Sequence, residues 1–365
     1  MSALFQPFTL RSLALPNRAV VSPMCQYSAR EGCATDWHLA HWTQLLQSGA
    51  ALVYVEATAV SAGGRISPGD LGLYGDATAR AFAQTLARAR ALAPATRVAL
   101  QLAHAGRKAS SAAPWVGGNV APEQGGWTPV APSALPFADG DPVPAALDAA
   151  GLAAVRDAFV AAARRGVGAG VDVIEVHMAH GYLLNEFLSP LANVRTDAYG
   201  GSFDGRVRFP LEVFDAVRAA VPDLPVGVRI SAVDWVEGGW ALEDSVELAQ
   251  RLKARGCDFV DVSSAGVSPR QKIDVRPGYQ VPFARAIRAA TGLPTIAVGL
   301  ITEPQQAEAI VAQGDADLVA LARAFLWNPR WLWHAAATLG GHVVPPPQYL
   351  RAPPRGAAQA FSPPR

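Results

Sequence analysis

Val171-Asp172-Val173-Ile174-Glu175-Val176-His177-Met178-Ala179-His180-Gly181-Tyr182 is the stretch on which the reading of this chain turns. Its first half, Val171 to Val176, is a short and mainly apolar run. Strands buried on both faces read as runs rather than clean alternations, so a buried parallel strand is expected here. Its second half carries two histidines three residues apart, with a tyrosine close behind. On a turn of helix such a pair shares one face, with β-carbons roughly 5–6 Å apart. Two imidazoles at that spacing can converge on one small atom, either a metal ion or a substrate oxygen. Tyr182 can then donate or accept a proton nearby. In isolation the same pattern also describes satisfied histidines and a packed tyrosine in a loop, so the surrounding chain has to decide.

Outward from that strand, the pattern repeats. Strand-like runs are expected at Arg18–Ser22, Ala50–Val55, Arg97–Leu102, Val171–Val176, Pro225–Ile230, Phe259–Val262, Pro294–Val298 and Leu318–Leu321. Helical segments fall between them: Asp36 (as N-cap) to Ser48, Ala77–Leu92, Leu147–Arg165, Phe209–Ala220, Leu242–Arg255, Val281–Ala290, Pro304–Gln313 and Asn328–Leu339. Eight βα units without a long linker predict a single (β/α)8 TIM barrel over residues 1–344. A doubly wound sheet would show a glycine-rich turn after an early strand. The nearest candidate, Gly166-Val167-Gly168-Ala169-Gly170, follows a helix and precedes a strand, so it reads as a helix stop and tight turn. The Gly-, Pro- and Ser-rich connection 105–146, with Trp115 and Trp127, is too long for a plain loop. It is expected to be a capping excursion after the third strand, laid over the barrel mouth. Residues 345–365 form a proline-rich tail that cannot continue the last helix.

Composition narrows the function. Of 365 residues, 31 are Lys or Arg and 30 are Asp or Glu, a net charge of +1, so no basic stripe points to nucleic acid. Cys25, Cys33 and Cys257 are too few and scattered for a disulfide framework, and no C-x-x-C suggests a thiolate metal site. No apolar run approaches the ~18 residues of a membrane span. The start Met1-Ser2-Ala3-Leu4-Phe5 lacks a signal-like core, so a cytoplasmic protein is expected.

In a barrel of this kind, reactive residues belong at the C-terminal ends of strands. There the chain places Ser22 to Tyr27, Glu56-Ala57-Thr58, Gln101 to His104, His177, His180 and Tyr182, then Arg229, Gly299 and Ala322-Arg323. Loops after the seventh and eighth strands often bind phosphate through backbone N–H groups. Gly299 permits close backbone approach, and Arg323 can make bidentate contacts. Arg229 is a second rim cation, suited to a carboxylate or an anionic cofactor ring.

Several of these motifs resemble the Old Yellow Enzyme family of flavoproteins, in particular its bacterial NADPH dehydrogenase and xenobiotic reductase branch. They are Ser22 to Tyr27, Asp36-Trp37-His38, Glu56-Ala57-Thr58, Gln101 to Arg107, His177 to Pro190, and Asn193-Val194-Arg195-Thr196-Asp197-Ala198-Tyr199-Gly200-Gly201-Ser202 continuing to Arg206 and Arg208-Phe209. The resemblance spans nearly the whole chain. It implies an FMN-dependent ene-reductase in which NADPH or NADH delivers hydride to the flavin. Hydride then passes from flavin N5 to the β-carbon of an α,β-unsaturated carbonyl compound. Ser22, Pro23, Met24, Cys25, Ala57 and Gln101 would hold FMN, with Arg229 and the pair Ala322-Arg323 joining them, and Gly299 beside the phosphate. His177 and His180 would bind the substrate oxygen, Tyr182 would supply the proton, and Tyr27 would line the pocket. Cys25 would touch the flavin edge and tune it. Arg351 looks like an arginine that some relatives insert into a neighbouring subunit's site, which implies a homodimer or homotetramer. No Rossmann unit is needed if the nicotinamide uses the substrate's own site.

Two other readings stand beside this one. A metal-dependent barrel hydrolase would use His177, His180 and a carboxylate such as Glu175; it needs a third ligand, and strand alternation is taken to turn Glu175 away from His177. A non-catalytic flavin-binding barrel would be yellow without turnover. Asp36 is expected to be a helix cap, Cys257 a core residue, Cys33 a loop residue, and Trp327, Trp331 and Trp333 a packing cluster.

Overall fold

The computed structural model describes residues 2–93 and 95–361. Eight strands close into one parallel barrel. They are β1 (Ala19–Val21), β2 (Leu52–Ala59), β3 (Arg97–Ala103), β4 (Val173–Met178), β5 (Val226–Ser231), β6 (Val260–Ser263), β7 (Thr295–Ala297) and β8 (Leu318–Leu321). Neighbours pair in chain order, and β8 returns to β1 through Val319–Ala19 and Leu321–Val21. All eight expected strands are present, and the (β/α)8 reading holds.

The helices are α1 (Asp36–Leu46), α2 (Asp76–Ala91), α3 (Ala149–Gly168), α4 (Leu183–Leu188), α5 (Phe203–Ala220), α6 (Leu242–Ala254), α7 (Val281–Thr291), α8 (Pro304–Ala312), α9 (Arg323–Trp327) and α10 (Trp331–Leu339). Short α4 and α9 follow β4 and β8 directly and were not legible as helices. Helix α5 starts six residues before the expected Phe209. Ser202 Oγ caps it by accepting from Gly205 N at 3.1 Å, and Pro210 is accommodated inside it. Asp36 is not the N-cap of α1. Thr35 takes that place, its backbone N–H donating to His38 Nδ1 at 3.0 Å.

Strand alternation sorts residues between two apolar regions. Ile174, Val176 and Met178 of β4 pack outward against the helices, with Val228 and Ile230 of β5 and Val260 and Val262 of β6. Val173, Phe259, Ile296, Leu318, Ala99 and Tyr54 point into the lumen. An antiparallel hairpin, Phe8–Leu10 with Leu13–Leu15, was not foreseen; its Leu10 and Leu15 join the lumen cluster and close the barrel floor. Above that floor the lumen turns polar. Glu175 and His177, two residues apart, project into it together, because period two puts i and i+2 on one face. The expectation that Glu175 turns away from His177 is therefore wrong.

Residues 105–146 carry a two-residue parallel pair, Val130–Ala131 with Ala145–Ala146. An arm bridged at Ser111 and Asn119 precedes it. The tail packs on the opposite, N-terminal face. Val343 pairs with Phe361, and Tyr349 stacks edge-on against Trp333 at 5.6 Å. Residues 362–365 of the expected tail lie outside the described residues. The tryptophans do not form one cluster: Trp331 is buried against Phe325, while Trp327 is 92% exposed.

Gly227 sits where a β-carbon would lie 2.5 Å from the Phe259 ring. Gly227→Ala should therefore destabilise by about 1–3 kcal/mol, the usual cost of overpacking. A urea denaturation midpoint unchanged from wild type would contradict this account of lumen packing.

Candidate active site

At the top of β4, His177 faces the lumen. The chain then leaves the strand at His180 (φ 61) and Gly181 (φ 70), and Tyr182 caps α4. The two histidines thus converge through a strand end and a left-handed turn, not through a helical turn. His180 N donates to Ser231 Oγ at 2.8 Å, and Gly181 N donates to Asn185 Oδ1 at 2.7 Å. A β-carbon at Gly181 would strike Gly266 O at 2.0 Å, so the loops after β4 and β6 touch backbone to backbone.

His177 Nε2 and His180 Nδ1 lie 3.4 Å apart. The Tyr182 ring stands edge-on to His177, with centroids 5.2 Å apart. His177 Nδ1 accepts from Ala179 N at 3.3 Å, which leaves the ring proton on Nε2. His180 Nε2 meets Ser263 Oγ at 2.8 Å, and the Ser263 hydroxyl faces Gln280 Oε1 at 3.3 Å. Ser263 has one proton: spent on Gln280 Oε1, it leaves Ser263 Oγ to accept the His180 Nε2–H, and turned to Nε2, it leaves the His180 proton on Nδ1. In the second arrangement both imidazoles aim an N–H at the same point. Burial, followed by the Arg229 charge, holds both rings well below the ordinary histidine pKa, so they are neutral donors.

Lys108 ties this corner together. Its Nζ donates to His180 O at 2.8 Å and Gly266 O at 3.1 Å, and lies 5.1 Å from the Tyr182 ring centroid. Burial pulls it down to about 8. Arg107 donates from one Nη to Leu135 O and Pro136 O and from the other to Val267 O, joining the excursion to the loop after β6. Buried Glu186 accepts the Arg107 N–H at 2.8 Å, and burial raises its carboxyl to about 8. Lys108, Ser263 and Gln280 were not singled out in the sequence, and Glu186 only as part of the run His177 to Pro190.

Across the mouth, β2 carries a bulge between Val55 and Thr58. Glu56 Oε2 there accepts the Gln26 N–H at 2.8 Å, and Oε1 lies 3.2 Å from His38 Nε2. This pins the segment Ser22–Tyr27. Tyr27 adopts φ 52, and Gly69 packs so closely that a β-carbon would sit 2.5 Å from Tyr27 O. Trp115, 72% exposed on the excursion arm, meets the Tyr27 ring edge-on at 5.6 Å. Burial, then Asp70 and Glu56, pushes the Cys25 thiol well up, so it is no thiolate nucleophile.

Of the remaining expected residues, Ser22, Ala57, Gln101 and Arg229 are buried around the upper lumen, with Pro23 and Met24 half-buried beside them. The Ser22 hydroxyl and Arg229 Nε have no hydrogen-bond partner among the described residues. Gly299 (φ 119), Ala322 and Arg323 line a cavity of about 110 Å³ with Leu300 and Thr302. Arg351 is not brought to this mouth. It is exposed on the tail, whose neighbour Tyr349 lines a pocket with Thr96 and Leu46 at the barrel's other end.

A profile of the NADH:flavin oxidoreductase / NADH oxidase family matches residues 3–340. The chain is 46% identical to an NADPH dehydrogenase of Geobacillus thermodenitrificans over 352 residues, covering 96% of this chain and 98% of that protein. It is 42% identical to an NADPH dehydrogenase of Listeria innocua over 354 residues, 96% and 99% of the two chains. Among solved structures, morphinone reductase superposes with a TM-score of 0.77 at 28% identity, covering 99% of this chain and 93% of that one.

Neutral imidazoles at His177 and His180 make a direct prediction. In ¹⁵N NMR both rings should keep the neutral pattern as the pH falls through 6.5, the ordinary histidine value. A midpoint at or above 6.5 in either ring would contradict the burial argument.

Proposed function

The chain belongs to the NADH:flavin oxidoreductase / NADH oxidase family, the Old Yellow Enzyme flavoproteins that work with FMN and NADPH or NADH, and from that premise we propose that it reduces the activated C=C bond of α,β-unsaturated carbonyl compounds. The observation that carries this reading is the pair of neutral imidazole nitrogens 3.4 Å apart, with a phenol ring beside them. With the Ser263 hydroxyl turned to His180 Nε2, two N–H donors aim at one point and suit a carbonyl oxygen that gains negative charge. Each such donor is worth roughly 3–4 kcal/mol in enzymes where one has been removed. Burial raises the Tyr182 phenol well above its ordinary value, so it keeps a proton to give to the substrate α-carbon. Lys108, over the same ring, offsets the charge left on the phenol oxygen.

The residues fit FMN on their own chemistry. The Ser22 hydroxyl has no hydrogen-bond partner among the described residues, and the Arg229 guanidinium, whose Nε faces Asp261 at 3.4 Å, stands beside it. Ala57, Gln101 and the Pro23–Cys25 segment would flank the ring. The cavity at Gly299, Ala322 and Arg323 would take the phosphate on backbone N–H groups and a guanidinium. FMN, when bound, supplies the hydride chemistry. Tyr27 would line the outer pocket, and residues 105–146 would cap it, supported by the Trp115–Tyr27 contact. We place the enzyme in the cytoplasm as a homodimer or homotetramer. Among the described residues no helix is long and apolar enough to cross a membrane. Arg351, remote from its own mouth, would serve a neighbouring one.

The metal-hydrolase reading lacks support. Among the described residues no three His, Cys, Asp or Glu side chains gather as a ligand set. Glu175 shares a face with His177 but is engaged by Tyr54 and Gln101.

Tyr182→Phe should slow enone reduction by about 10²–10⁴-fold while NADPH bleaches the bound flavin at its former rate. Equal losses in both half-reactions, followed by stopped-flow absorbance, would refute the proton-donor role. Arg351→Ala should raise KM for the enone in an oligomer with shared sites; a monomer in light scattering would dispose of that idea.

A further inference from the structure

Directly below the imidazoles, the lumen holds two acids and one base. Glu175 and Asp261 are fully buried, and Arg229 is nearly so. They descend from adjacent strands: His177 pairs in register with Arg229, and Arg229 with Asp261. Glu175 is held on both oxygens, Oε2 by the Tyr54 hydroxyl at 2.8 Å and Oε1 by Gln101 Nε2 at 2.7 Å. Asp261 has no hydrogen-bond partner on either oxygen among the described residues; its closest cation there is Arg229 Nε at 3.4 Å. The other titratable groups facing this layer are Tyr54 on β2, with its hydroxyl committed, and His177 and His180 above, both neutral. Lys108 lies beyond the imidazoles on the His180 carbonyl. Below is the apolar floor.

One guanidinium cannot balance two ionised carboxylates in a dry lumen. The mechanism described above uses neither acid. We propose that Glu175 and Asp261 hold a single proton between them and act as positioning residues behind Arg229, so that their charge sets how readily the flavin is reduced. This rests on the reading that Arg229 lies against the ring. The hydrogen bonding says where the proton sits. Glu175, accepting two donors, has the pattern of a carboxylate, and Asp261, accepting none, is the better acid form. Burial and mutual repulsion raise both acids, so a loss near pH 8 belongs to the pair's one proton and not to Glu175 alone, whose two donors keep it the ionised member. While the pair keeps its proton, the layer with Arg229 is neutral. Once the proton leaves, the layer carries one negative charge. Hydride arrival also leaves negative charge on the ring, so the ionised pair opposes reduction.

Two measurements test this, neither using an enone. The first is infrared spectroscopy of the apoprotein at neutral pH. Wild type should show the C=O stretches of two buried carboxylic acids, Glu186 and the pair. Asp261→Asn and Glu175→Gln should each remove the pair's band and leave that of Glu186, because either leaves one acid facing one guanidinium. Wild-type-minus-variant difference spectra that show no lost carboxylic-acid band for either variant overturn the shared proton. The second is the FMN midpoint potential by dye equilibration. Asp261→Asn should match wild type below about pH 8 and lie above it at higher pH, because only wild type then gains the extra charge. If the infrared band is lost but the two potentials stay parallel throughout, the link to the ring is overturned. An enzyme that fails to reduce enones would leave both measurements intact, so that failure is separable from this one.

Discussion

A closed eight-stranded barrel has a lumen just wide enough to be filled by its own side chains, and that filling governs everything else in this molecule. Every second residue of every strand must go inside. The lower layers meet the demand with Val173, Phe259, Ile296 and Leu318, sealed from beneath by Leu10 and Leu15 of the N-terminal hairpin. Gly227 gives way so that Phe259 can enter. Because the floor is apolar and closed, the polar groups above it can be satisfied only by one another or by what enters from the top. Glu175, Tyr54, Gln101, Asp261 and Arg229 are therefore a mutual arrangement rather than independent side chains.

The same rule explains what could be read from the chain and what could not. The strands were legible because both faces of each are buried, and runs such as Leu318–Leu321 have no other use. The residues at strand ends were legible because the barrel has one chemical end. Motif resemblance then supplied roles that spacing could not: nothing in His177 and His180 alone separates a metal from a carbonyl oxygen. The reading erred where period two was misapplied to Glu175, and where a helical spacing was assumed for a strand-to-turn pair. It was silent on Ser263, Gln280 and Lys108. Each of these matters through a partner 83, 17 or 72 residues away, a relation no local pattern encodes. The floor hairpin was missed because its two three-residue strands, unlike the equally short β1 and β7, stand outside the repeating strand–helix pattern.

The upper rim combines a stiff half and a looser one. Lys108 and Arg107 bind the loops after β3, β4 and β6 and the Leu135–Pro136 segment through buried cation–carbonyl contacts. On the proposed function, such contacts would keep donor geometry fixed while charge develops, which is the basis of preorganised catalysis. Across from them, Glu56 and Gly69 hold Tyr27 in a left-handed conformation that a bulky residue adopts only under constraint. The arm from Ser111 to Asn119 is different. Its turn glycines, Gly117 and Gly118, have open space around them, and Trp115 is mostly in solvent.

The backbone contact between Gly181 and Gly266 carries a consequence for protein engineers. Any larger residue at either position would prise apart the loops that aim the imidazoles, so a library randomised there should be dominated by dead clones. Diversity placed in Ala112–Asn119 leaves those loops untouched, and on the proposed reading it is there that a laboratory lineage would widen its diet of acceptors.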